Sequence, residues 1–314
     1  MYKKEITYTI NYTHFGEIIQ GIFNIISKKR CAVTLPIYIG NKKKKKILFN
    51  DLGDNFKFAE LNCRAEYKKS KKRYKLSPKN YVKSYKLGHN ILKKYNKSLF
   101  GKIKIVNKIP ISKGLGSSTS NMIAVAKIIK KIFNLNLNNN KILKLCCEIE
   151  PTDPILKKNI SLFSTIEGEI KKKLKFKIPN LVIYGFDTAA KKKGVNTIKM
   201  GQPKYTKSEL NFFNHSILKL SSQKIYEKNL INKISKKSLL INQKHVPKKK
   251  LDYLLNVEKK MSNDFIIGAH SGTMIGFAYN YNKLLKNKMK KIDLKILNKI
   301  SSLYKTPIKK YFYV

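Results

Sequence analysis

Acidic residues are scarce in this chain of 314 residues, where 18 aspartates and glutamates stand against 68 lysines and arginines, a formal net charge of +50. Only three of the cations are arginines (Arg30, Arg64 and Arg73), and tryptophan is missing altogether. The 15 glycines, 9 prolines and 4 cysteines are too few for a collagen-like or disulfide-rich protein. Because 42% of the residues are hydrophobic, the chain can bury a core, which excludes disorder and indicates one large or two modest domains.

The positive charge has two explanations. Lysines neutralise phosphates, which is compatible with nucleic-acid binding. Arginine is better suited to base edges and bidentate phosphate contacts, however, and it is almost absent. Lysine, asparagine and isoleucine share AT-rich codons, so a biased genome composition accounts for all three excesses. The lysines are also spread along the chain, in runs at 42–46, 171–173, 191–193 and 248–250, which likewise argues against a nucleic-acid site. We therefore predict no specific nucleic-acid partner.

The cysteines and histidines show no metal-ligand spacing. The four cysteines contain no C-x-x-C pair, which favours reduced thiols. The sequence contains no run of about 18 apolar residues, so we expect no membrane-spanning helix. The first ten residues alternate like a strand and lack the apolar stretch of a secretion signal. We expect a cytoplasmic protein without a membrane partner.

Local patterns predict a mixed chain of helices and strands. Strands are expected at 3–11 and 31–39 from their β-branched and aromatic residues. Between them, the segment bounded by Gly16 and Gly21 looks like a shaped loop rather than the interior of an element. The same patterns predict a strand over 181–187 and helical segments over 80–95, 141–150, 208–240 and 249–262.

The most informative passage runs from residue 102 to residue 133. Ile103 and Ile105 alternate with lysines as in a half-buried strand, and a proline- and glycine-containing segment follows. From Ser117 onward, apolar residues recur at helical spacing on one face. A helix N-terminus behind a glycine loop attracts phosphate. An ordinary capped helix after a turn remains the alternative at this point, because the Gly-Lys-Ser/Thr of a P-loop is missing.

Residues 110–118 (Pro-Ile-Ser-Lys-Gly-Leu-Gly-Ser-Ser) resemble the Pro-x-x-x-Gly-Leu-Gly-Ser-Ser signature of the GHMP kinases, which include galactokinases and homoserine, mevalonate and phosphomevalonate kinases. Residues 150–153 (Glu-Pro-Thr-Asp) and 268–273 (Gly-Ala-His-Ser-Gly-Thr) are similar to two further family segments in the same chain order. Together with residues 16–21 (Gly-Glu-Ile-Ile-Gln-Gly), they look most like the bacterial L-threonine kinases of cobalamin synthesis. The resemblance extends from about residue 10 to residue 280.

The resemblance implies an α+β, two-domain GHMP-kinase fold. A ribosomal-protein-S5-like domain with the ATP-binding loop would occupy residues 1–175, and a ferredoxin-like domain residues 176–314. ATP would lie over the glycine loop and the substrate between the domains. The oligomeric state stays open, with a homodimer as one option. The implied ATP contacts are Pro110, Lys113, Gly114, Leu115, Gly116, Ser117, Ser118 and Thr119. The alternative for Lys113 is that it does not contact ATP and is simply one of the 65 lysines of this lysine-rich chain.

The resemblance also implies catalytic roles for Ser118 and Asp153. Ser118 matches the serine that contacts Mg²⁺, and Asp153 matches an aspartate that accepts the proton of the substrate hydroxyl. Some members are thought to work without a base, in which case Asp153 only orients the substrate. At the usual position of the second metal ligand this chain has Ile142 and Leu143. Glu150 is the first candidate replacement, and the alternatives are Glu148 or a metal site with fewer protein ligands.

Substrate contacts are expected at two places in the chain. Glu17 suits an ammonium group and Gln20 a carboxylate or hydroxyl, while His270, Ser271 and Thr273 would border the nucleotide or substrate. The alternative for Glu17 and Gln20 is that they are strand-end polar groups that satisfy the backbone. The alternative for the glycine-flanked segment at His270 and Ser271 is a simple tight turn. The expected reaction is the phosphorylation of L-threonine by ATP with Mg²⁺. The alternatives are a homoserine or isoprenoid-alcohol kinase, and a basic nucleic-acid-binding protein on a retired kinase scaffold.

Overall fold

The structure is a computed structural model that describes residues 6–10, 12–38, 52–59, 61–156, 159–190 and 203–313. The lysine runs at 42–46 and 191–193 lie outside these ranges. None of the described helices combines the length and apolarity that a bilayer span requires. All four cysteines are free, as predicted.

The smaller of two sheets lies in the N-terminal half and has the spatial order β1-β4-β6-β5. Its central strand β6 buries alternate residues, among them Ile103 and Ile105, as the sequence predicts. Among the described strands of this sheet, β5 and β6 pair in parallel and the other neighbours pair antiparallel. The strands of this sheet are β1 (Ile6–Ile10), β4 (Cys63–Arg73), β5 (Lys75–Ser77) and β6 (Phe100–Asn107).

The larger, antiparallel sheet has the order β12-β9-β11-β10-β2-β3-β7-β8. Strand β2 joins its two halves, because it pairs with β3 on one side and with β10 on the other. The strands are β2 (Tyr12–Phe23), β3 (Ser27–Tyr38), β7 (Ser161–Ser164), β8 (Glu169–Lys173), β9 (Leu181–Asp187), β10 (Phe265–Gly268), β11 (Met274–Asn280) and β12 (Lys309–Tyr313).

The helices cover the sheets through apolar faces. The longest, α2, buries Met122, Val125 and Ile129 and packs against α1 and β4. The described helices are α1 (Val82–Lys94), α2 (Ser117–Phe133), α3 (Asn139–Cys147), α4 (Lys207–Ser222), α5 (Lys228–Asn242), α6 (Leu251–Glu258), α7 (Tyr281–Asn287) and α8 (Lys291–Tyr304).

The prediction of a loop between Gly16 and Gly21 was wrong, since both glycines lie inside β2. The register of β2 against β3 shifts on both sides of Glu17, so the glycines mark an irregular strand. Gly16 has φ +64°, and a Cβ there would lie 2.6 Å from the carbonyl carbon of Gly268. A side chain is therefore excluded by the neighbouring strand.

The predicted fold class is confirmed, because helices and sheets are mixed throughout and the core is buried between them. The helical segment predicted over 208–240 is two helices, α4 and α5, with a break between them. A domain boundary near residue 175 stays a prediction. The larger sheet contains strands from both sides of that position.

Candidate active site

The glycine loop lies between β6 and α2 and bends sharply into the helix. Gly114 and Gly116 have φ of +83° and +68°, values that side-chain-bearing residues rarely adopt. Gly116 is the N-cap of α2, and no side chain caps that end. The first amides of a helix have no partner within it and carry the positive end of the helix dipole. The loop therefore presents a site for an anion.

The segment 268–273 supports this loop from the C-terminal half of the chain. The amide of Thr273 donates a 3.2 Å hydrogen bond to the carbonyl of Lys113. A Cβ at Gly272 would lie 2.2 Å from the same carbonyl oxygen, and one at Gly114 would lie 2.3 Å from the Cβ of Ala269. The glycines thus allow backbone to approach backbone, which fixes the shape of the loop.

Ser118 and Glu150 form the next part of the site. The Ser118 hydroxyl donates a hydrogen bond to Oε1 of Glu150, while Oε2 of the same carboxylate pairs with Nζ of Lys83. The Glu150 side chain is only 2% exposed, so it is fixed beside the start of α2. A hydroxyl and a carboxylate held together provide the oxygen ligands that Mg²⁺ prefers.

Asp153 lies beside a buried histidine of β2. Nε2 of His14 is 3.2 Å from Oδ2 of Asp153, and its Nδ1 is 3.9 Å from Oε1 of Glu17. Burial alone lowers the pKa of His14, but the carboxylate of Asp153 raises it to about 9. Burial likewise raises the pKa of Asp153, but the imidazolium outweighs this and holds that pKa below its usual value. At neutral pH the two groups form an ion pair.

His14 also lies between the two carboxylates, with one ring nitrogen directed toward each. One ligand atom from each of His14, Glu17 and Asp153 lies within 4.8 Å of the others. Each ring nitrogen of His14 already faces an acid, so the imidazole connects Glu17 with Asp153. This arrangement suits the fixing of Asp153 better than the chelation of an ion.

Arg30 lies at the other side of Asp153. Its Nε donates a 3.3 Å hydrogen bond to Oγ1 of Thr165, and its charge contributes to the lowered pKa of Asp153. Arg30 is 7% exposed and Gln20 is 6% exposed. A guanidinium held in this way offers its remaining donors to a planar anion such as a carboxylate.

Ser118, Glu150, Asp153 and Arg30 line one cavity of about 390 Å³ together with residues of the glycine loop. Its volume lies in the range of small-molecule sites. It extends from the start of α1, past the glycine loop, to Arg30. The residues that line it are Gln20, Arg30, Asn80, Tyr81, Val82, Lys83, Ser84, Ile111, Ser112, Gly114, Gly116, Ser117, Ser118, Thr119, Asn121, Glu150, Pro151, Asp153, Thr165 and Ser271.

Comparison with known proteins agrees with this geometry. Residues 80–155 match the family described as GHMP kinases N terminal domain, a range that contains the glycine loop, Glu150 and Asp153. The structure superposes on mevalonate kinase of Methanococcus jannaschii with a TM-score of 0.62 at 17% identity, covering 99% of both chains. The chain has the GHMP kinase fold. Homoserine kinase of Cytophaga hutchinsonii gives a TM-score of 0.64 at 12% identity over 99% of this chain and 95% of that one.

A closer sequence match is confined to part of the GHMP kinase fold. Homoserine kinase of Lactococcus lactis subsp. cremoris is 38% identical over 71 residues, which cover 21% of this chain and 24% of that relative. The chain thus matches about a quarter of the length of its curated relative. The superpositions establish the fold, and the family match over residues 80–155 contains the glycine loop.

Some of the site residues predicted from the sequence line the cavity, and others do not. Gln20, Ser271, Glu150, Asp153 and most of the glycine loop line it. Those outside the lining set are Pro110, Lys113, Leu115, Glu17, His270 and Thr273.

Several of the residues outside the lining set have polar contacts that the structure describes. Nζ of Lys113 lies 2.7 Å from Oδ2 of Asp187, at the end of β9. Oε2 of Glu17 accepts hydrogen bonds from the amide (2.7 Å) and Nδ1 (3.0 Å) of His270. The carbonyl of Thr273 accepts a 3.0 Å hydrogen bond from the amide of Thr188, while its buried hydroxyl has no hydrogen-bond partner among the described residues. Ligand contacts by these residues stay predictions.

Sequence reasoning missed His14, Arg30, Lys83 and Thr165, because each becomes part of the site only through folding. Arg30 carried a signal all the same. With three arginines among 68 cations, each arginine could have been considered individually as a candidate contact for a planar anion. His14 and Lys83 carried no comparable signal.

Proposed function

We propose that this protein is an ATP-dependent kinase that phosphorylates the hydroxyl group of a small amino acid, with L-threonine as the first candidate. The observation that supports it is one cavity that brings together the glycine loop at the start of α2, the Ser118–Glu150 pair, Asp153 and Arg30. These are an anion site, a metal-ligand pair, a proton acceptor and a carboxylate partner. Together they suit phosphoryl transfer to an acid-bearing alcohol, which depends on positioning and charge neutralisation.

The nucleotide end of the cavity is the part formed by α1 and the glycine loop. The loop amides and the helix dipole suit the phosphates of ATP. Val82 and Ile111 are 66% and 59% exposed, and both line the cavity together with Tyr81. Exposed apolar side chains at a cavity wall suit a purine base, which would cover them.

Ser118 and Glu150 are the residues that would hold Mg²⁺. Their oxygen atoms lie within hydrogen-bond contact of each other, which fits a hard cation with two protein ligands and the rest from phosphate and water. The ion would supply charge neutralisation on the phosphates. The protein contributes the fixed position of the two ligands.

Asp153 is placed to take the proton of the acceptor hydroxyl. The substrate oxygen bonds to the γ-phosphorus, the bond from that phosphorus to ADP breaks, and the hydroxyl proton passes to Oδ of Asp153. A carboxylate with a lowered pKa is ionised at neutral pH, which is the form that accepts a proton. Phosphoryl transfer proceeds through a loose transition state, so positioning matters more than a strong base.

Arg30 supports an acceptor that carries a carboxylate. It lines the cavity, is held by Thr165, and lies close enough to Asp153 to influence its pKa. A carboxylate bound at Arg30 would bring a hydroxyl a few bonds away toward Asp153. L-Threonine and L-homoserine both have this arrangement.

A substrate panel tests the proposal. The enzyme is incubated with ATP and Mg²⁺ and with L-threonine, L-serine, L-homoserine or mevalonate, and ADP release is measured. We expect the highest kcat/KM with L-threonine. A higher value with L-homoserine or mevalonate would replace the substrate while leaving the kinase intact. The absence of ADP release with every compound would refute the kinase itself.

Replacing Ser118 with alanine is expected to lower kcat by about 10²-fold, because the metal loses a protein ligand at the transferring phosphates. Ser118→Thr, which retains the hydroxyl, is the matched control and should keep most of the activity. The measurement is kcat as a function of Mg²⁺ concentration. Equal kcat in Ser118→Ala and the wild type would remove Ser118 from the metal site.

Replacing Arg30 with methionine is expected to raise the KM of the amino acid by about 10- to 100-fold. This range corresponds to the binding free energy lost with a hydrogen bond to a charged group. The KM of ATP should stay the same, because Arg30 lies away from α1. Arg64→Met is the control, since Arg64 pairs with Glu66 on the smaller sheet. A change confined to the KM of ATP would contradict the carboxylate role.

A further inference from the structure

Both acids that line the cavity already face a cation from another element. Glu150 pairs with Lys83 of α1, and Asp153 lies 3.2 Å from His14 of β2. Arg30 adds a further positive charge. The cavity therefore has no excess negative charge, although it contains the ligands for a divalent cation.

Lys83 is placed where a lysine is electrostatically unfavourable. It lies in the first turn of α1, next to the positive end of the helix dipole, and that turn contains no acid and no side-chain cap. The nearly buried carboxylate of Glu150 compensates the charge. The Lys83 side chain is 34% exposed and lines the cavity, so its ammonium group is close both to Glu150 and to the space above the glycine loop.

We propose that Lys83 is the counter-cation of Glu150 and exchanges this carboxylate for the phosphates of the nucleotide when the metal arrives. The proposal rests on the proposed function, because it takes Ser118 and Glu150 as metal ligands. A divalent cation alone must displace the ammonium group, which then loses its partner. A metal–nucleotide complex supplies phosphate oxygens to which the ammonium group can move. Lys83 thus makes the site selective for the complex over the free ion.

Manganese binding tests this without any turnover. Free Mn²⁺ is measured by electron paramagnetic resonance in the presence of wild type, Lys83→Met, Lys83→Arg and Lys86→Met. Lys86 is an exposed lysine of the same helix, which makes Lys86→Met the matched control. Without nucleotide, we expect Lys83→Met to bind Mn²⁺ at least about tenfold more tightly than the other three proteins, because a neighbouring unit charge is removed.

The second half of the exchange is measured with a fluorescent ADP analogue in the presence of Mn²⁺. Lys83→Met should bind the analogue at least about tenfold more weakly than wild type, while Lys83→Arg and Lys86→Met stay close to it. Equal Mn²⁺ affinity in wild type and Lys83→Met would overturn the counter-cation role. Unchanged affinity for the analogue would overturn the transfer to phosphate. If no substrate of the panel releases ADP and the Mn²⁺ result still holds, the proposed function fails and the role of Lys83 toward Glu150 stands.

Discussion

Replacing Asp153 with asparagine is expected to lower kcat by about 10²- to 10⁴-fold, the usual contribution of a positioned proton acceptor. The amide has almost the size of the carboxylate but does not take up the hydroxyl proton. It also removes the negative charge that faces His14. The KM of ATP should stay close to that of the wild type, because Ser118, Glu150 and the glycine loop remain in place.

The measurement is steady-state ADP release with the best substrate of the panel. Glu148→Gln is the control, since Glu148 is an exposed acid that ends α3 and lies outside the cavity. A thermal melt shows whether each variant is folded. Near-normal turnover in Asp153→Asn would remove the proton-acceptor role and leave Asp153 as a group that orients the substrate.

The same variant has a spectroscopic consequence at His14. In the wild type, burial lowers the pKa of His14 but the Asp153 charge raises it from 6.5 to about 9. The proton on His14 thus stabilises the folded state fully below pH 6.5, and this contribution is lost as the pH rises through about 9. With asparagine at position 153, burial prevails and the pKa should fall. Nuclear magnetic resonance titration of the five histidines measures this directly.

Asp54→Asn is expected to destabilise the protein by about 3–5 kcal/mol, the cost of breaking a buried ion pair. Oδ1 of Asp54 lies 2.8 Å from Nζ of Lys310, and the two side chains are 0% and 7% exposed. Tyr184 donates a 2.6 Å hydrogen bond to Oδ2. Asparagine has nearly the same shape and can still accept from the amide of Phe56, so the loss reports the unpaired charge of Lys310.

Chemical denaturation measures the free energy of unfolding of this variant. The double variant Asp54→Asn/Lys310→Met removes the unpaired cation together with the acid. We expect it to regain at least half of the lost stability, since replacing both partners costs less than isolating one. A double variant as unstable as the single one would show that hydrogen bonding by Asp54, rather than its charge, stabilises the fold.

Local parts of the fold could be predicted from the sequence. The alternation of Ile103 and Ile105 identifies β6, and the apolar face that begins at Met122 identifies α2, because both patterns depend on neighbouring residues. The pairing of Glu17 with Gly268 depends on residues far apart in the chain, and no local pattern contains it. The loop prediction at Gly16 failed for this reason, since the glycine makes room for another strand.

The candidate site shows the same division. The motif residues Ser118, Glu150 and Asp153 could be found because their types and order resemble a family signature. His14 and Lys83 could not, since only the fold brings them to those acids. The interpretation of the lysine excess as a composition effect gave Lys83 no distinction from the other 64 lysines. The scarce acids were the better guides, whereas the equally scarce arginines were not used and Arg30 was missed.

The contact between the glycine loop and residues 268–273 ties two distant parts of the gene to one another. A substitution at Gly272 cannot be accommodated unless the backbone at Lys113 moves, and one at Gly114 meets Ala269. The two segments are therefore expected to change together during evolution rather than independently. An exchange of residues 80–155 between relatives would transfer the glycine loop without residues 268–273, which pack against it. We therefore do not expect this range to be interchangeable on its own.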